Sequence, residues 1–220
     1  MSVNFKSNVE AIKIKITEIG NGLVSANELL LEAIQTCDTQ KFEEAKSNIK
    51  NISAKTDSID NNIIKVLALY TPEARDLRKV VAYLKITNEL SRASSNTRSF
   101  IRGFTDVCTD VDVATVNEYA VPMQRSILNA MKTSIAMINI DDDDDEIREI
   151  YNEVLIEENK TDDLYEMVER NLLIQADGAD NFEKYHKMLK ALRKSSKIAT
   201  RAISIANLLV YAKIGGNFHN

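Results

Sequence analysis

Leu69-Tyr-Thr-Pro-Glu-Ala-Arg-Asp-Leu-Arg78 is the stretch on which the reading of the fold turns. Thr71 has the side chain of an N-cap, and Pro72 suits the first helical position, where a missing N–H costs nothing. Glu73 then places a negative charge in the first turn, where the helix dipole favours it. No Gly or Pro follows until Gly103, so the spacing predicts one long helix from just after Pro72 to about Gly103.

Two further helices precede it. Apolar or small residues recur at Phe5, Val9, Ile12, Ile16, Ile19, Leu23, Ala26, Leu30 and Ala33, in alternating steps of four and three. That is the seam of a helix packed in a bundle. A second seam runs through Phe42, Ala45, Ile49, Ile52, Thr56, Ile59, Ile63, Val66 and Tyr70. The break between the seams, Thr36-Cys-Asp-Thr39, is short enough to make the two helices antiparallel neighbours. Residues 1–105 thus read as one antiparallel three-helix bundle.

The second half, residues 106–220, repeats the order more loosely. A fourth helix is expected from about Asp110 to Ile138, with Pro122 as a kink or an early break. A fifth is expected after Ile140, led by the acidic run Asp141 to Asp145, and reaching about Ala176. Asp177-Gly-Ala-Asp180 reads as a turn, and a sixth helix from about Asn181 is stopped by Gly215-Gly216. Leu90–Arg102 lies over Ser195–Asn207 without gaps, with low identity and a shared pattern of small residues. The fold class is all-α, a tandem pair of antiparallel three-helix bundles.

Bulk composition narrows the functions. The 220 residues include only six Gly, two Pro and no Trp, sparse punctuation that favours long helices. A net charge of −5 argues against a general nucleic-acid binder, which needs a basic face to displace counterions. Cys37 and Cys108 lie far apart with no CxxC spacing and are expected to be free thiols in a reducing cytosol. His186 and His219 are too few for a histidine metal site or a triad. The opening Met1-Ser-Val-Asn-Phe-Lys lacks the apolar core of a signal peptide, and no run approaches the roughly 18 apolar residues of a membrane span. A cytoplasmic protein is expected.

The segment Pro72-Glu-Ala-Arg-Asp-Leu-Arg78 resembles the opening of a long bundle helix in the PhoU family of phosphate-uptake regulators, Pro-x-Ala-x-Asp-Leu-Arg. That resemblance covers nearly the whole chain and implies the twofold three-helix plan. In the family, the third and sixth helices each carry a signature like Asp-Leu-Glu-Arg-Ile-Gly-Asp-His-Ala. An Asp-x-x-x-Asp partner sits on the preceding helix. Acids four apart share a helix face and supply hard oxygen ligands for metal ions.

Here the first signature reads Glu89-Leu-Ser-Arg-Ala-Ser-Ser-Asn96, which puts Ser91 and Ser95 at the two ligand positions. The second repeat has Ser196 and Thr200 there. The partner motifs, aligned as Thr56-Asp-Ser-Ile-Asp60 and Asp144-Asp-Glu-Ile-Arg148, keep Asp60 and Asp144 and replace the other acids by Thr56 and Arg148. A neutral hydroxyl is a weak ligand, and Arg148 adds the wrong charge. No cofactor is expected, with at most residual divalent-metal binding at Asp60 and Asp144. Ser91, Ser95, Ser196 and Thr200 are read as small polar residues on a packed or solvated face. Anion binding through Arg92, Arg98 or Lys197 is the lesser alternative. The acidic run Asp141 to Asp145 lacks the central Gly of an EF-hand loop and is read as a charged helix start.

No nucleophilic or acid–base constellation can be assembled on these helices, so an enzyme is not expected. The resemblance implies a cytoplasmic adaptor that damps uptake through a phosphate ABC transporter and helps hold the phosphate-starvation response off. The partners it implies are the transporter's ATPase subunit and a sensor histidine kinase, with self-association as a homodimer. Arg75, Asp76 and Arg78 are the candidate partner-docking residues, since the opening lies at an end of the bundle. A diverged regulator of another transporter, or a metal-dependent or phosphate-handling enzyme using Asp60 and Asp144, are the competing readings.

Overall fold

The computed structural model describes residues 3–111, 113–140, 143–175 and 178–215. All of its regular structure is helical: α1 (Val3–Thr36), α2 (Thr39–Asn48), α3 (Ile52–Leu69), α4 (Ala74–Thr105), α5 (Val113–Thr115), α6 (Val121–Ala136), α7 (Asp144–Gln175) and α8 (Ala179–Lys213). A π-helical turn, Val116–Ala120, joins α5 to α6, and a 3₁₀ turn, Met137–Asn139, ends α6. With α2–α3 and α5–α6 each counted as one interrupted helix, these are the six helices expected.

The seams position them. All nine seam residues of α1 are buried, as are the seam residues of α2 and α3 from Phe42 to Val66. Each fully buried Ile, Leu or Phe of these seams contributes about 1.5–3 kcal/mol of transfer free energy. Asp38 caps α2, its carboxylate accepting from the backbone N–H of Gln40 at 3.0 Å and of Lys41 at 3.2 Å. The second helix is not continuous. It breaks at Ile49–Asn51, where Asn51 takes a left-handed conformation with φ 60°, one that Asn tolerates better than most residues. The seam nevertheless continues across the break, with Ile49 and Ile52 both buried.

Pro122 acts through the turn before it. Lacking an N–H, it cannot serve the carbonyl four residues earlier, and Val121 N–H bonds instead to Val116 O, five residues back. The start of α4 differs from expectation. Glu73, with extended backbone, precedes the first helical residue Ala74, so Thr71 and Pro72 lie outside the helix. Leu77 N–H bonds to Glu73 O at 2.8 Å. In the acidic run, Asp143 caps α7 by accepting from Asp145 N–H at 3.0 Å and Glu146 N–H at 3.1 Å. Asp141 and Asp142 lie outside the described residues, as do Asp177, Gly216 and His219.

The two halves join along α4 and α8, the most extensive helix pair, and along α1 and α6. Both pairs run antiparallel. Gly20 of α1 lets α6 approach closely, since a Cβ there would stand 2.6 Å from Ile135 Cδ1. A buried polar chain crosses the same junction: Ser195 Oγ donates to Gln124 Oε1 at 2.8 Å, and Gln124 Nε2 donates to Asn27 Oδ1 at 2.9 Å. Asn27 Nδ2 closes the chain on Leu23 O at 2.8 Å. Every member is buried, so each needs its partner. Arg201 of α8 also reaches Glu89 of α4 at 2.9 Å.

The expectation of free thiols is overturned. Cys37 and Cys108 form a disulfide, with Cα atoms 5.8 Å apart across 71 residues of sequence. Cys37 sits just past the end of α1 with φ 53°, which turns the chain towards α2. The bond ties this turn to the connection that follows α4. Phe100, Phe104 and Phe42 pack nearby along the same end of the core, with ring centroids 5.2 and 6.0 Å apart.

Candidate functional site

The first set of family positions lies between α3 and α4. Thr87 Oγ1 stands 2.6 Å from Asp60 Oδ1 and 2.7 Å from Leu84 O. It has one proton to give, and the carboxylate is the stronger acceptor. The helices are antiparallel, so one turn away Thr56 comes level with Ser91. Thr56 is buried, but its hydroxyl donates to Ser53 O at 2.8 Å and so is engaged within its own helix. Ser91 is half-buried and Ser95 exposed. Burial pushes the Asp60 carboxyl above its ordinary value; the Thr87 hydrogen bond opposes this and the Asp57 charge adds to it. The cluster therefore offers one carboxylate, already hydrogen-bonded and partly desolvated.

The second set divides. Arg193 of α8 lies 5.0 Å over the ring of Tyr165 of α7, and Lys213 near the end of α8 donates to Ile140 O before α7 begins. This antiparallel register puts Ser196 and Thr200 level with Asp162 and Glu158. Asp144 and Arg148 lie in the first turns of α7, about 21 and 15 Å along the axis from Glu158 at 1.5 Å per residue. The structure thus does not bring Asp144 or Arg148 to Ser196 and Thr200; Glu158-x-x-x-Asp162 occupies the facing position. Burial first, then the Asp162 charge, raises the Glu158 carboxyl, while Lys197 lowers it. Sequence reasoning missed this pair because it anchored the motif on the conspicuous acidic run. Counting back from the turn at Gly178 by the distance to Ser196 lands within a turn of both acids.

Neither cluster suits a hard cation. The first has one carboxylate and hydroxyls, and the second has two carboxylates with the Lys197 charge beside them. Divalent and trivalent ions of this kind require several oxygen ligands with enough negative charge. Among the described residues, no group of three or more His, Cys, Asp or Glu side chains is placed to hold a metal ion. Of the proposed anion-binding cations, Arg92 pairs loosely with Glu89 at 3.6 Å and Arg98 donates to Ile49 O at 3.3 Å.

The Pro72–Arg78 opening sits where the ends of α1, α4 and α8 meet. Arg75 and Asp76 line a recess of about 360 Å³ with Phe5, Lys6, Lys79 and Lys213. Leu77 beside them is 42% exposed, an apolar side chain at the bundle end. Arg78 turns the other way. Its guanidinium packs within 4 Å of where a Cβ on Gly215 would stand, and its Nε is buried with no hydrogen-bond partner among the described residues. The three docking candidates therefore divide between a surface pair and an inward-facing residue at the α8 terminus. No helix among the described residues is long and apolar enough to cross a membrane.

The described residues form a six-helix bundle whose halves join along α4 and α8, opened by this motif and poor in metal ligands. Residues 16–101 match the PhoU domain family. Two solved structures share the fold end to end. PhoU from Pseudomonas aeruginosa superposes with a TM-score of 0.66 at 19% identity, covering 97% of each chain. The phosphate transport system regulatory protein PhoU from Streptococcus pneumoniae gives a TM-score of 0.78 at 15% identity, covering 98% of this chain and 99% of its own. No curated protein matches in sequence. Residues 16–101 thus match the PhoU domain, and the chain as a whole shares the fold of these two PhoU structures.

Proposed function

We propose that the chain is a regulator of phosphate transport that acts as an adaptor, by protein–protein contact and without a resident metal. The observation that carries this is the PhoU domain match over residues 16–101, which contains the Pro72–Arg78 opening. The partners follow from the resemblance: the ATPase subunit of a phosphate ABC transporter and a phosphate-sensing histidine kinase, met from the cytoplasm, with a homodimer as the working form. The division into two PhoU-like repeats, 1–105 and 106–220, belongs to the same reading. An adaptor of this type biases its partner between two states, and it must contact those states differently to do so.

The thinned carboxylates favour one second reading, a diverged subunit serving another transporter. A deletion strain grown in excess phosphate separates the two. High alkaline phosphatase and phosphate uptake, both returned to normal by the gene, support phosphate regulation. Unchanged levels would move the search to other transporters.

A further inference from the structure

A groove of about 580 Å³ runs between α4 and α8 at the end of α4 remote from the Pro72–Arg78 opening. Arg75 and Arg102 lie on the same helix, about 40 Å apart along its axis at 1.5 Å per residue. Gly103 and Ala191 form the floor, where the helices approach closely enough that a Cβ on Gly103 would stand 3.4 Å from Ala191 Cβ. Arg102 stands on one bank, and Lys187, Lys190 and Lys194 stand on the other, all four exposed. Asp106 is the one acid among the described residues of the lining. Lys187 pairs with Glu183 at 2.7 Å. Arg102, Lys190 and Lys194 have no ion-pair partner among the described residues. Such a cluster stands out on a chain of net charge −5.

We propose that this groove is a second docking surface, which receives an acidic segment of a partner protein. It builds on the adaptor reading but is tested apart from it. The cations of α8 recur at steps of three and four residues and extend about 10 Å along the axis. Carboxylates three and four residues apart on one face of a helical segment have the same spacing. A single inorganic anion does not fit as well. It spans only part of that length, and no cation here is buried to hold it against water. A bilayer does not fit either, because the charges line a concave channel whose apolar lining is Gly103, Ala191 and the buried Val107, with no exposed apolar side chain to insert. The contacts are rim charges, so they supply orientation and encounter rate and weaken with salt.

The test uses the full-length protein and a fluorescent twelve-residue helix-forming peptide with three glutamates on one face at steps of three and four. Binding is followed by anisotropy at low and at physiological salt. The expected result is saturable binding that falls about tenfold or more in Lys190→Glu/Lys194→Glu and on replacing the peptide's glutamates by glutamine. Lys65→Glu, on an exposed face of α3 far from the groove, should bind as the wild type does. Circular dichroism checks that each variant keeps its helicity. Absence of saturable binding overturns the proposal, as does equal loss in Lys65→Glu. So does capture of anionic phospholipid vesicles or inorganic phosphate at this groove with none of the peptide. A deletion strain without phosphate phenotype refutes the phosphate-transport reading while leaving the peptide result to stand by itself.

Discussion

Reduction of the Cys37–Cys108 bond should loosen the fold measurably, and the structure gives the scale. The bond closes a loop of 71 residues in the unfolded chain. Loop-closure entropy for that length corresponds to about 4 kcal/mol of stability at room temperature. A chain of this size shifts its midpoint by roughly 2–4 °C per kcal/mol, so the expected fall in Tm on reduction is on the order of 10 °C. The assay is thermal and guanidinium unfolding of oxidised protein, of reduced protein and of Cys37→Ala/Cys108→Ala. The last two should coincide. Oxidised protein denatured without reductant should also take up no maleimide. Labelling of both thiols under those conditions would refute the pairing. Superimposable melts of the oxidised and reduced forms would refute the entropic argument. In a reducing cytosol such bonds are rare, so the fraction oxidised in the cell is itself a variable to measure.

Other outcomes follow from the same geometry. Gln124→Leu orphans Asn27 Oδ1 and Ser195 Oγ in the junction between the halves, and two buried groups left unpaired should cost about 2–4 kcal/mol in chemical denaturation; a loss under 1 kcal/mol would show the chain is not sealed from water. Burial and Asp162 raise the Glu158 carboxyl above its ordinary 4.5, so its contribution to stability is present at acid pH and is lost as pH rises through the raised value. Glu158→Gln should therefore gain Tm relative to wild type on going from about pH 4 to pH 7, and a difference that shrinks over that range would contradict the assignment. Arg75→Glu should weaken capture of the transporter ATPase while leaving helicity intact by circular dichroism, and unchanged capture would remove the opening from the docking surface.

How much of this was legible in the sequence depends on the distance over which each feature is encoded. The seams of α1 and α3 are local and periodic, and every apolar residue they named from Phe5 to Val66 is buried. The Ile49–Asn51 break was invisible because the seam keeps its phase through it. Only the left-handed Asn51, in a Lys50-Asn51 pair with no Gly or Pro, marks the spot. Pro122 reads in the sequence as a kink or early break, and the structure resolves it into a π-helical turn, Val116–Ala120, that ends two residues before it. The disulfide could not be read from spacing, since only the packing of the α1–α2 turn against the end of α4 brings Cys37 to Cys108. The candidate site shows the same division. Asp60 and Thr56 were placed by local motif, and α3 does carry them to α4. Asp144 was chosen by the charge density of its neighbours, and helix register, a property of the whole hairpin, puts Glu158 and Asp162 opposite Ser196 and Thr200 instead. The basic groove joins residues of α4 and α8 that lie some 85 positions apart, which no single helical stretch reveals.

The central claim is regulation of phosphate transport by contact and without metal. Its most direct test is alkaline phosphatase activity in a deletion strain held in excess phosphate. One arm carries the wild-type gene, and the other carries Asp60→Asn/Asp144→Asn/Glu158→Gln/Asp162→Asn, checked for folding by its melting curve. Full repression by both genes is the predicted result. Repression by the wild type alone, with the folded variant inert, would contradict the account and return a metal to the centre of the mechanism.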